Sequence, residues 1–206
     1  MNIETVVVGD LQTNCYIAYD PETKETVIID PGAAHAAILK KIEEKKLKPL
    51  YILHTHGHPD HFGSTDEIKK ATGARVMVHN DDAHILQSKI LSLRGMFYNS
   101  TKVDRNLKEG DEIRFGKEKL KVIHTPGHSK GCICFYSEAD SILFSGDTMF
   151  KSDVGRTDLP GGSEKELAIS IKKLFNLPDS TRVLPGHGRE TTIADEKETW
   201  RRWYGE

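Results

Sequence analysis

Between residues 54 and 61 the chain reads His54-Thr55-His56-Gly57-His58-Pro59-Asp60-His61, directly behind the apolar run Leu50-Tyr51-Ile52-Leu53. Neutral imidazoles and a carboxylate are ligands for zinc and other borderline divalent metals, and little else in protein chemistry crowds these side chains onto one short loop. Along an extended backbone, alternation puts His56 and His58 on one side, while Asp60 and His61 come a turn later as the chain bends toward a helix. One loop can therefore feed two ligand sets. The plainer reading is a surface histidine tract, whose metal affinity is compositional. Gly57, Pro59 and Asp60 interrupt the run, and it lies mid-chain behind a strand-like segment, which favours a built site.

Such a loop needs a rigid frame, and 206 residues suffice for one sizeable core, so a single domain over residues 1–206 is expected. The 29 Lys+Arg nearly balance 31 Asp+Glu, leaving no net field to grip nucleic acid or an anionic membrane. Cys15, Cys132 and Cys134 are an odd number without a disulfide framework, and Met1-Asn2-Ile3-Glu4 lacks the basic-then-apolar shape of a signal peptide. Both point to a reducing cytoplasm. No apolar run approaches the roughly 20 residues of a membrane span.

Three short β-branched or aromatic runs, Ile3 to Val8, Cys15 to Tyr19 and Glu25 to Asp30, are separated by Gly9-Asp10 and Asp20-Pro21-Glu22 and read as antiparallel strands. Asp30-Pro31-Gly32 stops the third. Ala34, Ile38 and Ile42 then recur at helical spacing and deliver the chain to the strand before the histidines. Ser64 with Glu67 predicts a capping box opening a helix that runs to Gly73. A strand at Arg75 to Val78 and a helix around Asp81 to Ser88 follow, and Lys89 to Leu107 is left as helix or loop. Glu112 to Phe115, Leu120 to His124, Cys132 to Tyr136 and Ile142 to Phe144 have the texture of a second sheet. Ser163 and Glu166 cap another helix with Leu167, Ile171, Leu174 and Phe175 on one stripe, and a strand at Arg182 to Leu184 and a helix from Ile193 complete the order. This mixture predicts a sheet sandwich flanked by helices.

Three later segments share one form, an apolar run ending in glycine and a ligand-type residue. Val122-Ile123 leads to Gly127-His128, Ile142-Leu143-Phe144 to Gly146-Asp147, and Val183-Leu184 to Gly186-His187. Loops carried by a rigid sheet can bring distant residues together, so these are expected to converge on the first motif. His56, His58 and His128 would then form one trio and Asp60, His61 and His187 a second, with Asp147 bridging. Two such sites leave positions open for substrate, as catalytic rather than structural metals require. A non-enzymatic metal-binding module is the alternative class. A closed structural zinc site needs only four ligands, usually with cysteine, which these residues exceed.

The motif from Thr55 to Asp60 and His61, with Gly127-His128, Gly146-Asp147 and Gly186-His187 in that order, resembles the metallo-β-lactamase superfamily over nearly the whole chain. That resemblance implies an α+β fold, a four-layer αββα sandwich with metals at one edge between the sheets, and the same ligand assignment. Gly155-Arg156-Thr157-Asp158-Leu159-Pro160-Gly161-Gly162 is similar to small glyoxalase II-like hydrolases, which cleave glutathione thioesters to a hydroxy acid and the free thiol. The larger glyoxalase II enzymes add a helical domain that helps hold glutathione, whereas 19 residues follow His187 here. Secreted β-lactamases usually carry a cysteine ligand and an export signal, neither of which is found, so antibiotic hydrolysis is not expected. Persulfide dioxygenases share the histidine motif and a Gly-Arg-Thr-Asp segment but use a single iron; the Leu159 to Gly162 continuation looks more like the hydrolases.

The expected chemistry is thioester hydrolysis, of lactoylglutathione or a related small molecule, by hydroxide formed at two divalent ions, zinc first and iron or manganese as alternatives. Asp60 is expected to hold a metal and orient the nucleophile, and Arg156 to pair with a substrate carboxylate, although a loop-bracing arginine is the plainer reading. His54 and His124 are expected to pack or support rather than ligate, and Cys132 and Cys134 to be small core residues.

Overall fold

Packing decides how these elements assemble, and a computed structural model shows the result for residues 1–88, 90–91, 97–98 and 100–204. The chain opens with β1 (Asn2–Val8), β2 (Thr13–Tyr19) and β3 (Glu25–Ile29), paired antiparallel in succession. Helix α1 (His35–Glu44) crosses to β4 (Lys48–Leu53), which runs parallel to β3. The histidine loop follows, then a single-turn helix α2 (Pro59–Phe62), α3 (Thr65–Thr72), β5 (Arg75–His79) and α4 (Asn80–Leu86). A small ribbon of β6 (Ile90–Leu91) with β7 (Phe97–Tyr98) precedes β8 (Arg105–Leu107), which pairs parallel with β5.

The second half is β9 (Glu112–Phe115), β10 (Glu118–His124), β11 (Ile133–Ser137) and β12 (Ile142–Gly146), each antiparallel to the last. A hairpin of β13 (Met149–Phe150) and β14 (Asp153–Val154) leads to α5 (Glu164–Leu174), β15 (Arg182–Pro185), β16 (Thr191–Thr192) and α6 (Ile193–Tyr204). β15 returns parallel to β12. Among the described residues the main strands form two six-stranded sheets, ordered β1-β2-β3-β4-β5-β8 and β16-β15-β12-β11-β10-β9.

Alternation along each strand sorts the apolar residues into three layers of core. Tyr16, Ala18, Val27, Ile29, Leu53 and Met77 of the first sheet meet Val122, Phe135, Phe144 and Leu184 of the second. The Phe144 ring packs edge-on against Tyr16, centroids 5.3 Å apart, tying the sheets together. On the outer face of the first sheet, Ile17, Ile28, Ile52 and Val76 lie under Ile38 and Ile42 of α1 and Ile68 of α3. On the outer face of the second, Ile123, Cys134, Leu143 and Val183 lie under Leu167, Ile171 and Leu174 of α5. Both faces of each sheet are covered, which is why these strands read as apolar runs rather than clean alternation. The result is a four-layer αββα sandwich. No helix among the described residues is long and apolar enough to cross a membrane.

Two local expectations change. Ser64 precedes α3, but its hydroxyl makes no cap bond there. It accepts instead from the backbone N–H of His35 at 3.2 Å, serving the start of α1, where Ala34 has no side-chain acceptor to offer. The cap of α5 does form, Ser163 Oγ accepting from Glu166 N. Of the stretch left as helix or loop, the described residues hold the strands β6, β7 and β8, the last at the sheet edge, with 100–104 an irregular connection between β7 and β8; residues 89, 92–96 and 99 lie outside the described residues.

Candidate metal centre

Every loop singled out by its histidines or aspartates leaves the carboxyl end of a strand at one edge of the sandwich. The loop after β4 is fixed by His54 N donating to Met77 O (2.9 Å), Thr55 N to Asp30 Oδ1 (2.8 Å), and Ile133 N to Thr55 O (2.8 Å), the last joining the two sheets. Pro59 opens α2, its fixed φ suited to the first helical turn, and so places Asp60 and His61. A Cβ built on Gly32 would fall on the Asp60 carbonyl, so only glycine lets β3's exit pass so close under α2. His128 sits in the turn after β10, closed by Thr125 N to Cys132 O (2.9 Å). Asp147 follows Gly146, where the β12–β15 register shifts. His187 leaves β15 and is tethered to β2, with Asn14 N donating to Gly186 O (2.7 Å) and Asn14 Nδ2 to Pro185 O (2.9 Å).

These placements bring two trios together. His56 Nε2 lies 3.1 Å from His58 Nδ1, which lies 2.8 Å from His128 Nε2. His61 Nε2 lies 3.2 Å from His187 Nε2, with Asp60 Oδ2 at 3.4 and 3.3 Å from the two. Asp147 stands between, Oδ1 at 3.4 Å from His61 Nε2 and Oδ2 at 3.6 Å from His128 Nε2 and 3.5 Å from His187 Nε2. Within each trio, and within a third group of His56, His61 and Asp147, the donor atoms lie within 4.8 Å of one another. A Cβ on Gly186 would meet Asp147 Oδ1 and the His61 ring, so glycine keeps this space open.

The protonation pattern follows from burial and charge. Burial holds His56 well below the ordinary histidine value and brings His58 to about 4, leaving both rings neutral at pH 7 with lone pairs to offer. Burial also opposes charge on His61 and His187, but it is outweighed. Asp147 and Asp30 hold His61 well above the ordinary value, and Asp147 and Asp60 raise His187 to about 9. Burial would likewise lift Asp147, yet His61 and His187 hold it well below the usual carboxylate range. In the metal-free chain, protons therefore balance the carboxylates, a charge that divalent ions supply when they displace those protons.

In four of the five rings the outer nitrogen is fixed by a hydrogen bond that leaves the inner one facing its neighbours. His128 Nδ1 donates to Arg156 O at 2.7 Å and His187 Nδ1 to Leu11 O at 3.0 Å. His61 Nδ1 donates to Asp30 Oδ2 at 3.1 Å. Thr55 Oγ1 gives its proton to Asp30 Oδ2 at 2.6 Å, so it accepts from His56 Nδ1 at 3.0 Å. Asp30 thus holds one ring of each trio, one directly and one through Thr55. Partners of this kind are what metal-ligating histidines require. Asp30 itself has φ of 51°, a left-handed conformation that aspartate tolerates and that turns its carboxylate back under the loop.

The donor set suits a divalent metal. Asp147 Oδ1 is buried without a hydrogen bond, and three neutral-capable nitrogens in one trio face two nitrogens and a carboxylate oxygen in the other. Arg156 is not gathered with the others by its side chain. Its guanidinium grips Asp158 through two bonds, Nε to Oδ1 at 2.7 Å and an outer nitrogen to Oδ2 at 2.6 Å, and its carbonyl serves His128. His54 is fully buried against Thr65 Oγ1 and faces away, and His124 stacks on His79 with centroids 4.2 Å apart. The cysteines are buried and free. Asp30, Thr55 and the carbonyls of Leu11 and Arg156 were not foreseen. The signal for Asp30, an acid ending a strand before Pro31-Gly32, reads equally as a turn.

The sequence profile described as the metallo-beta-lactamase superfamily matches residues 8–187. A protein of Bacillus subtilis named probable metallo-hydrolase YqgX is 36% identical, covering 93% of this chain and 92% of its own. Hydroxyacylglutathione hydrolase GloC of Haemophilus influenzae is 34% identical, covering 96% and 95%. Among solved structures, BLEG-1 B3 metallo-beta-lactamase superposes with a TM-score of 0.90 at 36% identity over 96% of this chain and 97% of that one. TTHA1623 in a di-iron-bound form gives 0.86 at 38% over 95% and 98%, and ETHE1 from Myxococcus xanthus 0.83 at 28% over 100% and 86%. With the profile spanning most of its length and the fold shared at this identity, the chain belongs to the metallo-β-lactamase superfamily.

Proposed function

We propose that this chain is a binuclear metal-dependent hydrolase of thioesters, with a hydroxyacylglutathione such as lactoylglutathione as the substrate class. The observation that carries the reading is the pair of donor trios sharing Asp147 at one sheet edge. The similarity to a hydroxyacylglutathione hydrolase over nearly the full length of both chains supports the substrate class. His56, His58 and His128 would hold one ion, Asp60, His61 and His187 the other, and Asp147 both; zinc suits these donors, and iron and manganese accept them too. Such ions supply a hydroxide at neutral pH and a Lewis acid for a carbonyl oxygen.

The residues do the rest. Asp30, Thr55, Leu11 O and Arg156 O keep the ring protons on the outer nitrogens, so the inner lone pairs stay available. Asp60 Oδ2, steadied by Thr13 Oγ1 at 3.2 Å, orients the attacking water. Substrate enters where the centre is open. The side chains of Asp60 and His187 are 24% and 26% exposed whereas His61 is fully buried, and exposed Leu11 with Phe150 beside His187 gives that rim an apolar lip. A thiolate leaves readily, so no strong general acid is needed. Arg156 on the rim pairs with a substrate carboxylate by exchanging its partner Asp158.

The test is release of free thiol from lactoylglutathione by metal-loaded protein, followed with a thiol-reactive dye. Turnover abolished by Asp147→Ala supports the reading; no thiol release from any glutathione thioester refutes it. The neighbour named a B3 metallo-beta-lactamase favours β-lactam hydrolysis as a second reading. A chromogenic cephalosporin assayed beside the thioester decides between them.

A further inference from the structure

The first trio depends on two loops that come from different sheets. His56 and His58 follow β4 and His128 follows β10, and something must hold the loops in register before any ion arrives. Asp82, in the first turn of α4 and 2% exposed, occupies the junction. Its Oδ2 accepts from Gly57 N at 2.9 Å and from Ser129 Oγ at 2.6 Å, and its Oδ1 accepts from Gly131 N at 2.9 Å. Gly57 is the residue between His56 and His58, and Ser129 the residue after His128. One carboxylate therefore bonds the backbone at the middle of one loop and both ends of the turn that follows the third histidine. The fit is close on both sides. A Cβ on Gly131 would lie 2.5 Å from Asp82 Cγ, and one on Gly57 3.2 Å from Asp82 Cβ.

We infer that Asp82 is a positioning residue for the His56, His58 and His128 trio, selective for that ion over the one held by Asp60, His61 and His187. The inference rests on the metal-centre reading above. The second trio takes its support elsewhere, from Asp30, Leu11 O and Asn14. Asp82 has three donors pointing at it. An amide in its place must turn its own NH2 toward at least one of them, releasing one loop from the other. Groups that orient ligands in this way typically change metal affinity by about 10–100-fold.

The experiment is zinc competition against a chromophoric chelator, with imidazole 15N spectra identifying which rings carry metal. Asp82→Asn is expected to weaken zinc about 10–100-fold at His56, His58 and His128, while His61 and His187 keep their metal-shifted signals at the same zinc activity. Gly131→Ala, which displaces the carboxylate without removing charge, should do the same, and it carries the test if Asp82→Asn fails to fold. Wild-type affinity at the first trio in both variants overturns the inference, as does equal weakening of the two trios. A wild-type chain that holds no zinc at either trio defeats the metal-centre reading instead.

Discussion

Asp30→Asn removes one oxygen's charge and almost no volume, yet it should disturb both ions. The carboxylate receives three protons, from Thr55 N at 2.8 Å, Thr55 Oγ1 at 2.6 Å and His61 Nδ1 at 3.1 Å. If the amide oxygen stays under Thr55 N, the NH2 faces His61 Nδ1 and Thr55 Oγ1. His61, held protonated on both nitrogens in the metal-free chain, then meets that NH2 with its own Nδ1–H; to accept there it must give up that proton and keep the one on Nε2, the atom that faces Asp60 and His187. Thr55 Oγ1 likewise reverses, donating to His56 Nδ1 and driving that ring to its Nε2–H form. If the amide is flipped, its NH2 collides with the backbone N–H of Thr55. The first arrangement strips His61 of a proton and reverses His56, and the flipped one leaves an unmatched buried donor at a cost of about 1–3 kcal/mol in the metal-free chain. Each ion should weaken about 10–100-fold, or about 1.4–2.8 kcal/mol. Chelator competition measures the affinities, and long-range 1H–15N spectra of the metal-free rings report the tautomers directly. Thr55→Ser keeps the relay and should behave as wild type. Zinc affinities of Asp30→Asn equal to wild type, with His56 and His61 still protonated at Nδ1, would refute the tautomer account.

Three further outcomes follow from the same geometry. Arg156→Ala should raise KM for a carboxylate-bearing thioester with kcat unchanged, because the side chain touches Asp158 and none of the donor rings; an unchanged KM removes it from substrate binding. Phe144→Ala, at a fully buried position between the sheets, should cost about 3–5 kcal/mol in urea unfolding of the metal-free protein. A loss under about 1 kcal/mol would show that the inter-sheet core is not packed as described. Stripping metal with a chelator should abolish thiol release without unfolding the sandwich, since its three apolar layers do not include the donor trios; far-UV dichroism that collapses on chelation would contradict this.

The donor loops were legible because glycine and histidine at strand ends are rare together and because each loop announces itself within a few residues. Their supports were not. Asp30 reaches Thr55 across 25 positions, Asp82 reaches Ser129 across 47, and the carbonyl of Leu11 meets His187 across 176. No local pattern encodes such meetings, and backbone carbonyls have no residue type to betray them. Ser64 shows the same limit at short range. Its capping-box spacing was real, but a neighbouring helix start competed for the hydroxyl and won. The strands were readable where both faces are buried, as at Val27-Ile28-Ile29, and poorly readable at the edges. β8 and β16 are three and two residues long and exist mainly because a neighbouring strand offers its edge. Arg156 lay in a recognisable loop, but its partnership with Asp158 emerges only from the folded turn.

Metal identity and stoichiometry decide the central claim most directly. Protein purified without added metal or chelator should contain about two ions per chain by elemental analysis, zinc or zinc with iron or manganese, falling toward about one in His187→Ala. One iron per chain with no second metal, in protein that consumes oxygen with glutathione persulfide and releases no thiol from thioesters, would contradict the binuclear hydrolase and identify a mononuclear oxygenase on the same frame.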